Sequence, residues 1–332
     1  MSRIGIAFSG GLTASEIADC AERAEALGYE SVWVAEGHGG DQFAALAACA
    51  LRTRRVRLGT AISSVFVRTA PTIAMAAASV DELSGGRFVL GLGSSHRVQV
   101  GPEHGVDYRK PLGRVRDTVA VVRELLREGE VGHEGETVRI ERFDLWFEPY
   151  RREVPIYLSA LFPKMTELCG EIADGVILTR GTLESAARAR AYVAAGAARA
   201  GREAESVEIT SLLPASVDPN RERAFAAARP GLAFYAGFFP RYNRLLSESG
   251  FSREAAAVAK AWDAGDKAAA ERAVTDEMLA ATGIVGTAAE CRERIDAYRA
   301  SGLDLPIISP FARGADAKER FLAAIEACAP RA

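Results

Sequence analysis

Residues 4–35 read IGIAFSGGLTASEIADCAERAEALGYESVWVA, and this stretch decides the fold. It predicts a short apolar strand at residues 4–8, then a helix, and then a second strand at residues 31–35. Thr13 and Glu16 have the spacing of a capping box, apolar residues recur after them at helical intervals, and Gly28 ends the helix. This order predicts two parallel strands joined by a helical crossover.

The same alternation continues to the end of the chain. Further strands are predicted at residues 56–62, 88–92, 154–159, 175–179, 207–213 and 305–309, with helical patterns between them. Eight units without a shift in composition favour one closed (β/α)8 TIM barrel over two domains, so we expect a single domain over residues 1–332. Two longer segments, 94–111 after the fourth strand and 214–286 between the seventh and eighth, are predicted insertions at the barrel mouth.

Charge and hydropathy exclude several classes of partner. The 41 basic and 44 acidic residues are spread evenly, so no basic stripe is available for a nucleic acid backbone. No apolar run approaches the roughly 20 residues that a membrane-spanning helix needs. Met1 to Arg3 lead directly into the first predicted strand, without the features of a signal peptide. We therefore expect a cytoplasmic protein that acts on a small molecule.

Cysteine and histidine give no sign of a metal site or of a disulfide framework. The five cysteines are far apart and mostly lie among Ala and Leu at helical spacing, which predicts buried side chains in a reducing compartment. The four histidines have no ligand-like spacing with the cysteines or with one another. We therefore predict no metal ligands.

Standard catalytic motifs are absent, including the nucleophile elbow, the Walker loop and the dinucleotide fingerprint after the first strand. A hydrolase would need a nucleophile or metal constellation that the sequence lacks. The best clue is a set of small and polar residues at the ends of successive predicted strands. Its members are Glu36, His38, Ser63, Ser64, Ser94, Ser95, His96, Ser159 and Thr179. A flat cofactor fits such a ring.

Three sequence words, taken together and in order, carry a family resemblance. They are Gly28-Tyr-Glu-Ser-Val-Trp-Val34, Leu58-Gly-Thr-Ala-Ile62 and Leu83-Ser-Gly-Gly-Arg-Phe-Val-Leu-Gly-Leu-Gly93. In combination they resemble the luciferase-like oxidoreductase superfamily, which includes bacterial luciferase, flavin-dependent monooxygenases and coenzyme F420-dependent enzymes. The similarity runs over nearly the whole chain.

Two further words are most similar to methylenetetrahydromethanopterin reductase and its F420-dependent relatives. They are Gly105-Val-Asp-Tyr-Arg-Lys-Pro-Leu112 and Val154-Pro-Ile-Tyr-Leu-Ser-Ala-Leu-Phe-Pro163. The resemblance implies an oxidoreductase that transfers a hydride between F420 and an organic substrate, in a homodimer that associates through barrel helices. An enzyme that uses FMN, as a monooxygenase or a reductase, is the first alternative. A flavin-binding barrel that has lost catalysis is the second.

The resemblance also implies positions for the cofactor. In the family a cis peptide bond behind the ring supports it, and the matching bond here joins Ala61 and Ile62. The phosphate lies near the end of the fifth strand, where this chain has Leu161 and Phe162 in place of the glycines that relatives often carry. Lys164 either contacts the phosphate or is solvated. The predicted cofactor contacts are Glu36, Ala61, Ile62, Ser63, Ser64, Gly93, Ser94, Ser159, Ala160, Leu161, Phe162, Lys164, Thr179 and Arg180.

Three residues are candidates for proton chemistry. The family often places an acidic residue followed by His at the end of the second strand, whereas this chain has Glu36 and, two positions later, His38. His38 is either an acid or base at the ring edge or a hydrogen-bonding loop residue. His96 follows the fourth strand, where relatives often carry a carboxylate, and either replaces that proton donor or lines the pocket. Arg68 and Arg180 are candidates to bind an anionic cofactor tail or substrate.

Overall fold

The computed structural model describes residues 3–330, and its main sheet closes into a barrel of eight parallel strands. The strands are β1 (Gly5–Phe8), β2 (Ser31–Val34), β3 (Arg57–Thr60), β4 (Ser63–Ser64), β5 (Phe88–Gly93), β6 (Glu130–Glu134), β7 (Arg139–Asp144), β8 (Ile156–Ser159), β9 (Gly175–Thr179), β10 (Glu208–Val217), β11 (Ile284–Gly286) and β12 (Leu305–Pro310). The barrel order is β1, β2, β3, β5, β8, β9, β10 and β12, and β12 pairs with β1 to close the ring. The predicted (β/α)8 barrel is confirmed.

Helices connect the barrel strands and form the outer layer. They are α1 (Ala14–Ala26), α2 (Gln42–Arg52), α3 (Ala70–Ser84), α4 (Arg97–His104), α5 (Pro111–Glu128), α6 (Pro163–Ile172), α7 (Leu183–Arg199), α8 (Arg221–Phe238), α9 (Pro240–Leu246), α10 (Ser252–Asp263), α11 (Lys267–Ala273), α12 (Asp276–Thr282), α13 (Ala288–Ala300) and α14 (Ala317–Ala327). A 3-10 turn spans Ala204–Ser206, and a π-helical turn, Ser247–Phe251, joins α9 to α10.

Local signals account for where several helices begin and end. Thr13 accepts a hydrogen bond from the backbone N–H of Glu16, and the Glu16 carboxylate accepts one from the N–H of Thr13, which is the predicted capping box of α1. The Asp41 carboxylate caps α2 through two backbone N–H groups of its first turn. Gly85 follows the last residue of α3 in the left-handed conformation, with φ of 65°. Neighbouring residues determine all three boundaries, and the one at Thr13 is the boundary predicted above.

Charged side chains close the amino-terminal end of the barrel. Glu30 and Glu208 lie at the starts of β2 and β10, and both pair with Arg3 and Arg57. Tyr157 donates its hydroxyl hydrogen to Glu208. This network occupies the end of the barrel where the strands begin, so the space for a ligand lies at the opposite end, where the strands finish.

Both predicted insertions are present, and the longer one has an apolar cluster of its own. The first contains α4, and the second contains α8 to α12. Buried side chains of α8, α10 and α12, among them Leu232, Val258 and Met278, pack together away from the barrel. The second insertion is therefore a helical lid, a term used below for α8 to α12.

Two parts of the fold differ from the sequence predictions. The antiparallel hairpin β6–β7 between α5 and β8 was not predicted, because most of its side chains are exposed and no sustained apolar alternation marks it. Strand β10 continues to Val217 instead of ending at residue 213. Its last three residues pair with β11, a partner more than sixty residues later in the chain.

Two sequence-based expectations concern hydropathy and cysteine. Within residues 3–330 no helix combines the length and the apolar character needed to cross a membrane. All five cysteines are buried and have free thiols, as the sequence predicts. The ends of the predicted domain, residues 1, 2, 331 and 332, lie outside the described residues.

Candidate active site

A cavity of about 1840 Å³ opens where the barrel strands finish. Its walls are the loops after the barrel strands together with parts of α8, α9 and α12. Pockets for one small molecule usually enclose roughly 300 to 1000 Å³. The cavity therefore has room for a large cofactor and a second molecule.

A bulge between β3 and β4 projects into this cavity. β3 pairs with β5 as far as Gly59, and β4 resumes the pairing at Ser63, so that four steps along this edge match three along β5. The extra residue pushes the backbone outward, and both Ala61 and Ile62 line the cavity. The peptide bond between them is cis, as the resemblance implies.

Glu36 ties the end of β2 to the bulge. One carboxylate oxygen accepts the backbone N–H of Ser64 at 2.7 Å, and the other accepts Nε of Arg68 at 2.5 Å. Arg68 also bonds Asp41, the cap of α2. Glu36 lines the cavity, but its carboxylate already has two strong partners, so the geometry makes it an anchor of the loops around the mouth. Its predicted part in proton transfer stays a prediction.

His38 lies at the rim of the cavity. Its side chain is 72% exposed, and its Nε2 lies 3.0 Å from a carboxylate oxygen of Glu103 on α4. This contact links the loop after β2 to the first insertion. The contact with Glu103 agrees with His38 as a hydrogen-bonding loop residue. A catalytic role of His38 stays a prediction.

His96 lies deeper than His38, at the start of α4. Its ring packs against Phe239 and Tyr242, with centroid distances of 4.6 and 5.4 Å. Burial, and to a lesser extent the positive charge of Arg241, lower the pKa of His96 from 6.5 to about 4. The imidazole is therefore neutral near pH 7, where it offers one N–H donor and one nitrogen acceptor to a ligand.

The depressed pKa of His96 predicts a loss of stability in acid. Because its pKa in the folded protein, about 4, lies below the ordinary 6.5, the unfolded chain binds the proton first as the pH falls. This contribution to stability is fully present above about pH 6.5 and is lost as the pH falls towards 4. We expect wild type to lose about 2 kcal/mol more than His96→Gln between pH 7 and 4.5, measured by urea unfolding at a series of pH values.

The matched control for this comparison is His104→Gln, an exposed position at the other end of α4. It is expected to keep the pH profile of wild type. Profiles of wild type and His96→Gln that run parallel down to pH 4.5 would show that His96 is not buried as described.

The segment between β8 and α6 has the features of an anion site. Ser159, the last residue of β8, and the next three residues line the cavity, and α6 begins at Pro163. No side chain among the described residues caps the first turn of α6. Pro163 has no N–H and that of Met165 donates to the Phe162 carbonyl oxygen at 3.1 Å, so the backbone N–H of Lys164 is the one available to a ligand in this part of the turn. Lys164 lines the same wall, and the Arg244 guanidinium of α9 lies 4.5 Å from the centroid of the Phe162 ring.

Aromatic side chains of the lid cover the cavity. The five that the sequence places in one cluster are Phe234, Tyr235, Phe238, Phe239 and Tyr242. They pack on one another at centroid distances from 4.9 to 5.9 Å, and all but Phe238 line the cavity. Beneath them, Thr179 ends β9 and Arg180 follows it, and the Arg180 guanidinium lies 4.0 Å from the Tyr235 ring centroid.

The structure brings most of the predicted site residues to one cavity. Those on its wall are Glu36, His38, Ala61, Ile62, Ser94, His96, Ser159, Ala160, Leu161, Phe162, Lys164, Thr179 and Arg180. Ser63, Ser64 and Gly93 are buried and are not among the lining residues. A Cβ at Gly93 would meet Ser159 Oγ at 2.3 Å and Ile62 Cγ1 at 2.8 Å. The absence of a side chain at Gly93 therefore allows the backbone here to lie close to both residues. A role in cofactor binding stays a prediction for all of these residues.

Sequence reasoning missed a polar group behind the wall. Tyr108 is buried, donates its hydroxyl hydrogen to Ser94 Oγ at 3.2 Å and accepts one from Arg241 at 3.0 Å. Arg97 and Arg241 both lie over its ring. Arg241 lies between Phe239 and Tyr242 in the sequence, and this cation within an aromatic stretch was the signal that could have identified the group.

The sequence model of the luciferase-like monooxygenase family matches residues 2–305. The 5,10-methylenetetrahydromethanopterin reductase of Archaeoglobus fulgidus is 30% identical over 307 residues, which are 91% of each chain. A putative coenzyme F420-dependent oxidoreductase of Mycobacterium tuberculosis is 30% identical over 311 residues, 88% of this chain and 90% of the relative.

Among solved structures, the coenzyme F420-dependent tetrahydromethanopterin reductase of Methanopyrus kandleri is similar to this chain with a TM-score of 0.86. The superposition covers 98% of this chain and 96% of the other, at 23% identity. At this identity the likeness supports the fold, and it agrees with the closed barrel described above.

Proposed function

Because the chain belongs to the luciferase-like monooxygenase family, we propose that it is a coenzyme F420-dependent oxidoreductase that transfers a hydride between the deazaflavin and an organic substrate. The observation that carries the proposal is the charge of the cavity. Its lining includes six lysine and arginine side chains and one carboxylate, Glu36, which Arg68 already neutralises. Two of the six, Arg244 and Arg320, pair with Glu248 and Asp316, which leaves four cations in excess. The whole chain has a net charge of −3, so the positive charge is specific to this site.

The residues present fit a flat ring with an anionic side chain. Ala7, Ala35 and Ala61, at the ends of β1, β2 and β3, leave the barrel mouth open for a ring. The uncapped start of α6, with Lys164 beside it, suits the phosphate. Leu161 and Phe162 do not block this wall, because both line the open cavity.

The cofactor and the residues of the chain supply different parts of the proposed chemistry. When bound, the deazaflavin supplies a two-electron hydride carrier, which makes a protein nucleophile unnecessary. The bulge at Ala61 and Ile62 would support the cofactor, and the aromatic side chains of the lid would exclude water from the substrate. The neutral imidazole of His96 donates a hydrogen bond from its one ring N–H to a substrate oxygen, without transferring the proton.

FMN is the second candidate cofactor. The family description as monooxygenases favours it, and its phosphate would use the same start of α6. The names of the Mycobacterium tuberculosis relative of 30% identity and of the superposed reductase favour F420.

The proposal extends to the organisation of the protein. We propose that residues 1–332 form one domain and that the protein acts as a cytoplasmic homodimer, as the family resemblance implies. The matches over about nine-tenths of both chains support a single domain.

The test is titration of the purified protein with F420 and, separately, with FMN, followed by fluorescence. We expect the protein to bind F420 and to bind FMN more weakly. Lys164→Gln is expected to weaken F420 binding about tenfold, because one charge-assisted contact to the phosphate is lost.

The matched control is Lys260→Gln, an exposed position of α10 away from the cavity, which is expected to leave binding unchanged. Preference for FMN would make the monooxygenase function the leading one. Binding of F420 without turnover of any substrate would favour the silent barrel, and binding of neither cofactor would refute the proposal.

A further inference from the structure

Arg180 has an unusual backbone that directs it into the cavity. It follows the last residue of β9 with φ of 53°, in the left-handed region that side-chain-bearing residues rarely adopt. Its N–H donates to the carbonyl oxygen of Leu212 on β10 at 3.1 Å, which holds this conformation in place. Strained backbone of this kind concentrates at functional sites. The geometry brings a guanidinium under the lid instead of into solvent.

Arg180 has no ion-pair partner among the described residues. No carboxylate within residues 3–330 lies within salt-bridge distance of it, whereas Arg68 pairs with Glu36 and Arg244 pairs with Glu248. Burial lowers the pKa of Arg180, which means that the protein environment disfavours its positive charge. A partly buried cation without a counter-ion is costly unless a ligand supplies the missing charge.

Aromatic side chains pack beside this guanidinium. One face of Arg180 lies on the Tyr235 ring, 4.0 Å from its centroid, and the Tyr242 ring lies 5.0 Å from that of Tyr235. Phe239 and His96 continue the same wall. Burial raises the pKa of Tyr242, so its hydroxyl keeps its proton and remains a hydrogen-bond donor. The wall thus combines flat apolar faces with one cation and one neutral donor.

We propose that the substrate of this site is a flat aromatic carboxylate whose ring packs against the lid aromatics Tyr235, Phe239 and Tyr242 and whose carboxylate pairs with Arg180. One guanidinium balances one negative charge, and its planar fork matches the two oxygens of a carboxylate. The cofactor phosphate has separate donors at the start of α6, so Arg180 is available to the substrate. This inference rests on the proposed function and names the substrate class of the same site.

The test compares two probes of the same shape, 2-naphthoate and its neutral amide, 2-naphthamide. Isothermal titration calorimetry measures the binding of each to protein saturated with F420. We expect wild type to bind the carboxylate at least ten times more tightly than the amide. Arg180→Gln is expected to abolish this preference while the F420 and amide dissociation constants stay within about twofold, and Arg180→Lys is expected to retain part of it.

Arg188→Gln, an exposed position on α7 just after this loop, is the matched control and is expected to keep the full preference. Thermal unfolding checks that each variant is folded. Equal binding of the two probes by wild type would overturn the inference. So would an Arg180→Gln variant that loses F420 binding, because Arg180 would then serve the cofactor while the proposed function stands.

Different measurements test the two proposals, so one can be refuted while the other stands. The F420 titration reports on the proposed function, and the ratio of the two naphthalene affinities reports on the substrate class. If F420 does not bind, the same ratio measured on cofactor-free protein decides the inference: retention of the Arg180-dependent preference supports it, and its absence overturns it.

Discussion

Alanine at Gly91 is expected to lower the free energy of unfolding by about 3 kcal/mol or more. Its Cβ atom would lie 1.8 Å from the backbone oxygen of Thr60, so β3 and β5 would have to move apart. The close approach has a specific cause: the Thr60 hydroxyl donates to the Gly91 carbonyl at 2.7 Å and accepts from the Gly91 N–H at 2.8 Å. Urea unfolding monitored by circular dichroism measures the loss.

Two further substitutions test this explanation. Gly231→Ala in α8 is the matched control, because its Cβ would meet nothing within 4 Å, and it is expected to be neutral or stabilising by up to about 1 kcal/mol. Thr60→Val removes the hydroxyl and leaves both Gly91 backbone groups unpaired, for an expected loss of about 1 to 3 kcal/mol. A Gly91→Ala variant as stable as wild type would contradict the described approach of β3 to β5.

Loss of the arginine at position 151 is expected to cost about 3 kcal/mol, because it leaves the Asp81 carboxylate buried without its counter-ion. The Asp81 side chain has no exposed surface, and Arg151 holds both of its oxygens, through Nε at 3.0 and 3.1 Å and through Nη2 at 2.5 Å. Arg151 also donates to the carbonyl oxygen of Phe88 at 2.7 Å. The pair thus joins α3, the start of β5 and the segment before β8. Urea unfolding of Arg151→Met at neutral pH is the measurement.

The double variant Asp81→Leu with Arg151→Met separates the pair from the packing around it. Removing both charges is expected to restore much of the stability, because no unpaired carboxylate remains. Arg109→Met is the control, since Asp107 and Arg109 form an exposed pair with side chains 63% and 82% accessible, and it is expected to change stability by less than about 0.5 kcal/mol. Equal losses in the Arg151 and Arg109 variants would show that the buried carboxylate is not the cause.

The barrel was predictable because its signals are local or repetitive. The capping box at Thr13 and Glu16, the cap at Asp41 and the left-handed Gly85 each depend on a few neighbouring residues, and all three are present. Eight repeats of the same pattern leave few topologies, since parallel strands joined by right-handed crossovers close readily into a barrel. The exposed hairpin β6–β7 lacks such a signal and was missed.

The candidate site was predictable as a set of positions but not as a set of roles. The ends of the strands were expected to meet, and most of the named residues do line one cavity. The two histidines show what the sequence could not determine. His38 is exposed at the rim, whereas His96 is partly buried against Phe239 and Tyr242, which lie more than 140 positions later in the chain.

The sequence by itself determined the order of the elements, the closed barrel, the family and the position of the cis bond between Ala61 and Ile62. Only the tertiary structure decided that Glu36 is bound by Arg68 while Arg180 has no carboxylate partner in the part of the chain that the structure describes. The physical reason is the distance along the sequence between the groups that interact. Caps, turns and periodicity depend on residues a few positions apart, whereas burial, ion pairing and pKa depend on groups that only folding brings together.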